Sequence, residues 1–452
     1  MGKALDLRKR HSSHAHSFWG KEWKEHKPRS ALYSIWRVFF YFLLFFIIGS
    51  LIFIGWRTFL ESKTAKLWSL LTDGKYLVLV LNNAELRPGG GFIGSYGIIE
   101  IKNKTIEKID FNTNIFKLDN AFIKKNYVAP PTPLLKVTKG AGWSLHDSNF
   151  AADFKDSSEK VLWFLEKETA EKVDGVIAVD TSVFTDLLRL SGPISLPAYN
   201  TTITPENFLT TVQYKIEREY WQKPGAPEEN APKTILKDMI FPFFNSLMAN
   251  ASKREIIKTI LQAADEKHLL FYLKDQTLQS VVEKENWGGR IFNGTSDYLY
   301  VVEANLGGGK SSLNLERSYY YEIAKNDKGQ YIAKLFLNYL HTGTGVWPDD
   351  TNRSYIRVLV PDKSKFLSAS SKGQDTTKNV DVGTEAGKTS FGFWIEVAPG
   401  QSQSVFLTYI LPNISDYSLL IQKQPGAPTS FLKVEALGKT LYQGDFGKDL
   451  LF

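Results

Sequence analysis

Nineteen consecutive positions near the N-terminus, 38–56, hold apolar or aromatic side chains, two glycines and one serine, and no charge. A helix of this length spans about 28 Å, which matches the hydrocarbon core of a bilayer. A helix that is apolar on every side and rich in phenylalanine is less typical of a buried core helix. The basic stretch before it is too long for a cleaved signal peptide. The pattern therefore predicts one uncleaved transmembrane helix.

The charge of the chain is concentrated before this helix. Residues 1–37 carry nine of the 55 Lys and Arg but only three acids, so they hold most of the net charge of +7. The basic flank predicts a cytoplasmic tail at 1–37 and an extracytoplasmic remainder at the cell membrane. Because that remainder is nearly neutral, we expect no nucleic-acid partner. The chain has no cysteine, which excludes disulfides and cysteine nucleophiles.

Apolar periodicity divides the outer part into three segments. Residues 57–74 read as a short helical stalk. Residues 75–310 alternate apolar strand-like runs, such as Tyr76–Leu81, with helical stripes, which predicts an α/β (or α+β) domain with a mixed central sheet. Residues 311–452 hold about seven short strand-like runs between turn clusters, which predicts an all-β sandwich. Within it, 368–388 reads as an exposed loop.

Candidate chemistry follows the first of these strands. The chain continues through Asn83, Glu85 and Arg87 to three glycines, Gly89, Gly90 and Gly91. Consecutive glycines allow several backbone N–H groups to face one anion, and a guanidinium group matches two phosphate oxygens. The other interpretation is a tight turn with a Glu–Arg ion pair.

Three aspartates, Asp147, Asp153 and Asp180, fall near predicted strand ends, where α/β sites form. Aspartates in such positions are more often helix N-caps. The glycine-rich stretch 305–311 lacks the first glycine of a phosphate loop and is interpreted as a linker turn.

The segment Leu81–Ile101 also resembles the signature of a bacterial family catalogued as domain of unknown function 4012. The resemblance covers about 75–450 and continues in order through Trp143–Asn149, Asp174–Asp180, Leu190–Pro193 and Thr204–Asn207. Where that family shows an arginine in the second motif, this chain has His146. The activity of the family is not established.

The layout is more distantly similar to the LytR–CpsA–Psr glycopolymer transferases, which are also single-pass proteins with an outward α/β domain. Those enzymes transfer a glycan from a polyprenyl pyrophosphate, using arginines and a divalent ion. The resemblance implies substrate contacts by Tyr214, Arg218 and Lys233. The arginine-rich helix of that family has only Lys233 and Lys237 here.

Two hypotheses follow. In the first, the protein binds or transfers a lipid-linked glycan. Arg87 and Gly89–Gly91 would hold phosphate, and Glu85 with Asp110 or Asp147 would hold Mg²⁺ or Mn²⁺. In the second, the α/β domain is degenerate and the protein is a non-catalytic surface scaffold or adhesion protein that binds the cell wall or a partner.

Overall fold

The computed structural model describes residues 62–112, 114–226, 232–414 and 416–452. The predicted tail and span, and the first five residues of the predicted stalk (57–61), lie outside the described residues. Within the described ranges, no helix has both the length and the apolarity to cross a membrane.

The first part of the described chain alternates helices with strands, as the sequence predicts. We call residues 62–296 the α/β part. Its helices are α1 (Lys63–Ser69), α2 (Ile115–Ile123), α3 (Thr132–Thr138), α4 (Phe154–Thr169), α5 (Thr181–Ser191), α6 (Phe208–Tyr214), α7 (Thr234–Asn250), α8 (Lys253–Asp265) and α9 (Gln276–Lys284). Its strands are β1 (Gly74–Asn82), β2 (Phe92–Lys102), β3 (Thr105–Asn112), β4 (Gly175–Asp180), β5 (Ile194–Leu196), β6 (Thr201–Ile203) and β7 (Leu269–Leu273).

Five of these strands form one mixed sheet in the order β3-β2-β1-β4-β7. β1 and β4 are parallel, whereas the other neighbours are antiparallel. β1 lies in the middle, and its side chains alternate between two cores. Leu77 and Leu79 pack with Phe164 of α4, whereas Tyr76 packs with Leu269 on the other face. This arrangement confirms the predicted mixed central sheet.

Local sequence determines where the helices begin. The side chain of Asp153 accepts a hydrogen bond from the backbone N–H of Lys155 at the start of α4. Asp180 caps α5 in the same way, and Ser252 forms a capping box with Glu255 at α8. Asp153 and Asp180 are therefore N-caps, which was one of the two interpretations of these residues.

The second part consists almost entirely of strands. We call residues 297–452 the C-terminal region. Its strands are β8 (Asp297–Asn305), β9 (Leu315–Lys325), β10 (Tyr331–His341), β11 (Asn352–Val360), β12 (Lys365–Ser371), β13 (Gln374–Asp375), β14 (Asp381–Glu385), β15 (Lys388–Val397), β16 (Ser402–Ile410), β17 (Leu419–Gln422), β18 (Ser430–Ala436), β19 (Lys439–Phe446) and β20 (Leu450–Leu451).

These strands form a seven-stranded sheet (β13-β12-β16-β10-β9-β18-β19) and a six-stranded sheet (β14-β15-β11-β8-β17-β20). Side chains from both sheets, including Tyr321, Leu335, Val358 and Phe391, belong to one buried cluster. The two sheets therefore share a single core, which is what burial of one apolar face of each sheet requires.

Two sequence predictions need correction here. β8 pairs with β11 and β17, so it belongs to the C-terminal region, and the predicted boundary after residue 310 falls too late. The continuous apolar run of β8 indicates that both of its faces are buried, but it does not indicate to which sheet the strand belongs. The predicted loop 368–388 contains β14 and the end of β12, which pair with β15 and β16.

The α/β part and the C-terminal region meet in a close backbone contact. The backbone N–H of Asn305 donates to the oxygen of Leu86 at 2.9 Å. Gly426, whose φ is +70°, faces Gly90, and a Cβ at Gly426 would lie 1.9 Å from the Gly90 oxygen. No side chain fits between these two backbones, so glycine is required at position 426.

Gly426→Ala is expected to be far more destabilising than Gly438→Ala. Gly438 has a similar φ of +78° but no neighbour within 4 Å of a Cβ. The control should lose about 1–2 kcal/mol of unfolding free energy for its backbone conformation alone, and Gly426→Ala roughly 1–3 kcal/mol more. Urea unfolding followed by tryptophan fluorescence measures both. Equal losses would contradict the close contact.

Candidate functional site

A cavity of about 600 Å³ lies in the α/β part, beside the carboxyl end of β1 and the start of β2. Its other walls come from α2, α6, α7 and the turn that carries His146 and Asp147. We call it the α/β cavity. Its volume is typical of small-molecule sites, and its position at a strand end is typical of α/β sites.

Arg87 lines this cavity, but the protein itself holds its guanidinium group. Nε donates to Asp147 Oδ1 and Nη2 to Glu85 Oε1, both at 3.1 Å, while Nη1 donates to the backbone oxygens of Asn305 and Leu86. Burial disfavours the charge, but the two carboxylates outweigh it and raise the pKa of Arg87. At least four of the five N–H donors of Arg87 are engaged within the protein. Its guanidinium group therefore does not present to a phosphate the two free donors that the sequence predicted.

His146 bridges two aspartates next to Arg87. Its Nδ1 lies 2.6 Å from Asp119 Oδ2, and its Nε2 lies 3.1 Å from Asp147 Oδ2. Burial alone would lower the pKa of His146, but the hydrogen bonds to both aspartates outweigh it and raise the pKa to about 10. The ring is therefore an imidazolium at neutral pH, with both nitrogens acting as donors.

Two lysines reach the cavity from distant parts of the sequence. Nζ of Lys310, in the turn after β8, lies 3.0 Å from Glu85 Oε2 and 3.5 Å from Glu217 Oε1. Lys233, just before α7, donates to the backbone oxygen of Gly94. Burial and then the charge of Lys310 lower the pKa of Lys233 to about 8. Among the described residues, no carboxylate forms an ion pair with Lys233.

The rest of the lining is mostly apolar. α6 and the turns that follow it contribute Phe208, Val212, Ile216 and Trp221, and α7 contributes Leu236. The cavity thus combines charged groups with an extended apolar wall.

Ser95 is a buried polar group in this lining. Its side chain is 1% exposed, and its hydroxyl has no hydrogen-bond partner among the described residues. A buried hydroxyl without a partner is costly, and a bound ligand would satisfy it.

The glycines and Asn83 do not form the predicted anion nest. The backbone N–H of Gly89 donates to Asn149, and that of Gly90 donates to Arg87. Asn83 is fully buried and bonds to Ser182 and to the backbone oxygen of Gly426. None of these predicted ligand residues lines the cavity. Asn83 and Gly90 contact Gly426 of the C-terminal region, whereas Gly89 and Gly91 hydrogen-bond to Asn149.

The remaining predicted residues are divided. Lys233 and Asp147 line the cavity with Glu85 and Arg87. Asp110 is exposed on β3 and does not line it.

Tyr214 and Arg218 also lie outside the lining and contact Trp347 instead. The Tyr214 ring is edge-on to Trp347 at 6.4 Å, and the Arg218 guanidinium group lies 4.8 Å from the centre of the same ring.

The residues proposed for Mg²⁺ or Mn²⁺ do not fit a divalent ion. Glu85 and Asp147 both accept hydrogen bonds from Arg87, whose positive charge lies where the ion would have to be. In the described ranges, no group of three or more His, Asp or Glu side chains is arranged as a metal site.

Sequence reasoning missed Lys310, Asp119 and Ser95. Lys310 lies in the segment interpreted as a linker turn, yet it follows the end of β8 by five positions, as Arg87 follows β1. A basic residue five positions after a buried strand was therefore the sequence feature that could have identified Lys310. Asp119 lies in α2, which the periodicity did not predict, and nothing in the sequence distinguishes Ser95 from other strand serines.

A second, larger hollow lies mainly in the C-terminal region, and Val137 of α3 is the one described lining residue from the α/β part. This hollow is an open groove of about 1240 Å³ between the two sheets of the C-terminal region, lined by residues such as Ser371, Lys372, Trp394 and Gln403. It contains none of the predicted site residues.

Comparison with known proteins gives one family match. The model of a family described as "Protein of unknown function (DUF4012)" matches residues 73–216. The matched segment contains β1, Arg87 and the His146 turn, and it supports the resemblance to that family over this part of the chain. No curated protein matches.

Solved structures are similar to the chain only in part. Lin1025 from Listeria innocua is 12% identical over 48% of this chain and 79% of its own, with a TM-score of 0.26. A Legionella pneumophila protein provisionally assigned to nutrient binding is 8% identical over 30% of this chain and 54% of its own, with a TM-score of 0.24. An M1 zinc metallopeptidase from Deinococcus radiodurans is 10% identical over 27% of this chain and 32% of its own, with a TM-score of 0.17. The chain thus spans about half the length of the Legionella protein and about a third of the metallopeptidase. TM-scores this low carry no argument about fold or function.

The charged His146 bridge predicts a pH-dependent stability. Its folded pKa of about 10 exceeds the unfolded value of about 6.5, so its stabilisation is complete below pH 6.5 and is lost as the pH rises towards 10. His146→Gln should therefore unfold at a lower temperature than the natural protein at pH 6, by a margin that shrinks at pH 10.

His146→Arg is the matched variant, because a guanidinium group stays charged over this range. Its melting temperature should not show the loss between pH 6.5 and 10. Calorimetry at several pH values measures all three proteins. A margin for His146→Gln that does not change with pH would contradict a charged bridge.

Proposed function

We propose that the protein is a membrane-anchored, extracytoplasmic protein of the cell envelope that binds a polyprenyl-phosphate- or pyrophosphate-linked glycan in the α/β cavity. One observation carries the proposal: the cavity presents two lysine ammonium groups and an unpartnered hydroxyl next to a long apolar wall. A ligand that complements these groups is an amphiphile with an anionic head.

The charges favour an anion. Lys233 and Lys310 repel each other, which contributes to the lowered pKa of Lys233. Arg87, His146 and Lys117 add three more cations to the lining, whereas its carboxylates are only three: Glu85, Asp147 and Glu217. A phosphate group bound between the lysines would relieve their repulsion and would accept from Ser95.

The apolar wall favours a lipid tail on that anion. Phe208, Val212, Ile216 and Leu236 offer hydrocarbon surface but no donors, so a free phosphate would leave it uncovered. Covering such surface contributes roughly 25 cal/mol per Å² of apolar area. The cavity has room for a head group and the first part of a prenyl chain.

The location of the protein rests on the sequence. The apolar segment 38–56 supplies the predicted anchor, and the basic tail supplies its predicted orientation. A binding site on the outer side of a membrane to which the protein is anchored is suited to a ligand that is itself held in the bilayer.

Binding is the step that this geometry supports, and we do not extend it to glycan transfer. In the LytR–CpsA–Psr enzymes that the layout resembles, arginines and a divalent ion act at the pyrophosphate. Here Arg87 is engaged by Glu85, Asp147 and two backbone oxygens, and the residues proposed for the ion do not fit one.

A second candidate is the non-catalytic scaffold or adhesion protein. The observation that favours it is the groove of about 1240 Å³ in the C-terminal region, which we interpret as the predicted β-sandwich. In that case the groove would bind the wall or a partner, and the α/β cavity would bind no lipid phosphate.

Lipid-phosphate binding is testable with farnesyl pyrophosphate, a short soluble analogue. Isothermal titration of the full chain in detergent at pH 7 should show binding that Lys233→Met weakens by about tenfold or more, because a charged hydrogen bond contributes about 1.5–3 kcal/mol. Lys372→Met, in the groove, is the control and should bind normally. Farnesol should bind far more weakly than farnesyl pyrophosphate. No binding, or equal binding by both variants, would contradict the proposal.

The same titration should depend on pH. Lys233 loses its proton as the pH rises through about 8, so the affinity of the natural protein should fall between pH 7 and 9.5. Lys233→Arg stays charged and should retain its affinity over this range. An affinity that does not change with pH would show that Lys233 does not contact the phosphate.

A further inference from the structure

Helix α7 has an apolar face on each side. One face packs into the α/β part through Ile235, Met239, Phe243 and Leu247, all of which are buried. A surface helix normally places polar residues opposite such a face.

The opposite face is instead aromatic and aliphatic. Phe241 is 78% exposed, Phe244 50% and Met248 60%. Spacings of three and four residues place these side chains in one stripe along the helix. Lys237, one turn before Phe241, is exposed on the same stripe. We call these four residues the α7 outer face.

We propose that the α7 outer face inserts into the surface of the lipid bilayer. The proposal rests on the proposed function, because it identifies where the protein meets its lipid ligand. Phenylalanine and methionine side chains enter the acyl boundary of a bilayer, and lysine pairs with anionic headgroups. A contiguous exposed apolar stripe on a folded protein marks a surface that interacts with a membrane or with another protein.

The rest of the chain favours a membrane as the occupant. The predicted span ends at Trp56, six positions before Ser62, where the described part begins. Six residues reach at most about 20 Å, even when fully extended. An anchored protein would therefore keep the start of α1 near a lipid surface.

α7 also connects this surface to the α/β cavity. Lys233 and Leu236, at the start of the helix, line the cavity. Phe241 follows Lys233 by eight residues, which is about 12 Å along a helix. A bilayer that covers the α7 outer face would bring lipid headgroups next to the cavity, so a membrane-held ligand could enter without crossing water.

Because the chain has no cysteine, single labels can test the proposal in the full chain. Phe244→Cys carries a nitroxide, and the protein is reconstituted into vesicles of phosphatidylcholine and phosphatidylglycerol. Val382→Cys, at an apolar side chain 58% exposed on β14, is the matched control. Electron paramagnetic resonance should show that the label at Phe244→Cys is more accessible to oxygen, which enters the bilayer, than to a water-soluble nickel chelate. The label at Val382→Cys should be more accessible to the chelate than to oxygen.

Three results would overturn the proposal. Equal chelate accessibility at both labels would place the α7 outer face in water. Loss of both oxygen and chelate accessibility at Phe244→Cys would indicate a protein partner. Spin–spin broadening there would indicate a second copy of the chain.

A second variant separates this proposal from the proposed function. Phe241→Ser with Phe244→Ser changes no residue of the cavity lining, so farnesyl pyrophosphate should bind normally in detergent. Uptake of a fluorescent prenyl pyrophosphate from vesicles should slow several-fold. Normal uptake would overturn the membrane contact alone, whereas failure of the unsubstituted protein to bind farnesyl pyrophosphate would overturn the proposed function.

Discussion

The buried guanidinium group of Arg87 is the interaction on which the arrangement of this protein depends. It connects Glu85 after β1, Asp147 in the turn before α4, and the backbone at Asn305 where β8 ends. A buried cation is tolerated only when its partners are all present, so the three segments must assemble together. The contact between Gly90 and Gly426 lies beside this link and allows the backbones to approach.

This link also explains the character of the cavity. Because Arg87 neutralises Asp147 and shares Glu85 with Lys310, these carboxylates are held by protein cations, and no divalent site forms among the described residues. Lys233 has no such partner among the described residues, and burial makes its charge costly. An anionic ligand therefore gains most at Lys233. The same residue lies where the apolar wall and α7 begin, so the proposed contacts with the head group, the tail and the membrane are all linked through one helix.

The sequence predicted the parts that depend on local pattern and missed those that depend on distant contacts. The apolar run of β1 and the caps at Asp153 and Asp180 were readable, because periodicity and capping are short-range properties. The direction of the Gly89–Gly91 amide groups could not be predicted, because it depends on residues such as Gly426 that lie far along the chain. The same holds for the sheet to which β8 belongs and for Lys310, which reaches the cavity from the turn after that strand.

Photochemical crosslinking tests the central claim most directly, because it maps the ligand on the protein without any substitution. The full chain in vesicles would be irradiated with a polyprenyl pyrophosphate that carries a diazirine in its first isoprene units, and the adducts located by mass spectrometry. The account predicts adducts on the apolar wall, at Val212, Trp221 or Leu236, that excess farnesyl pyrophosphate removes. Adducts confined to the predicted span 38–56 or to the C-terminal groove would contradict it.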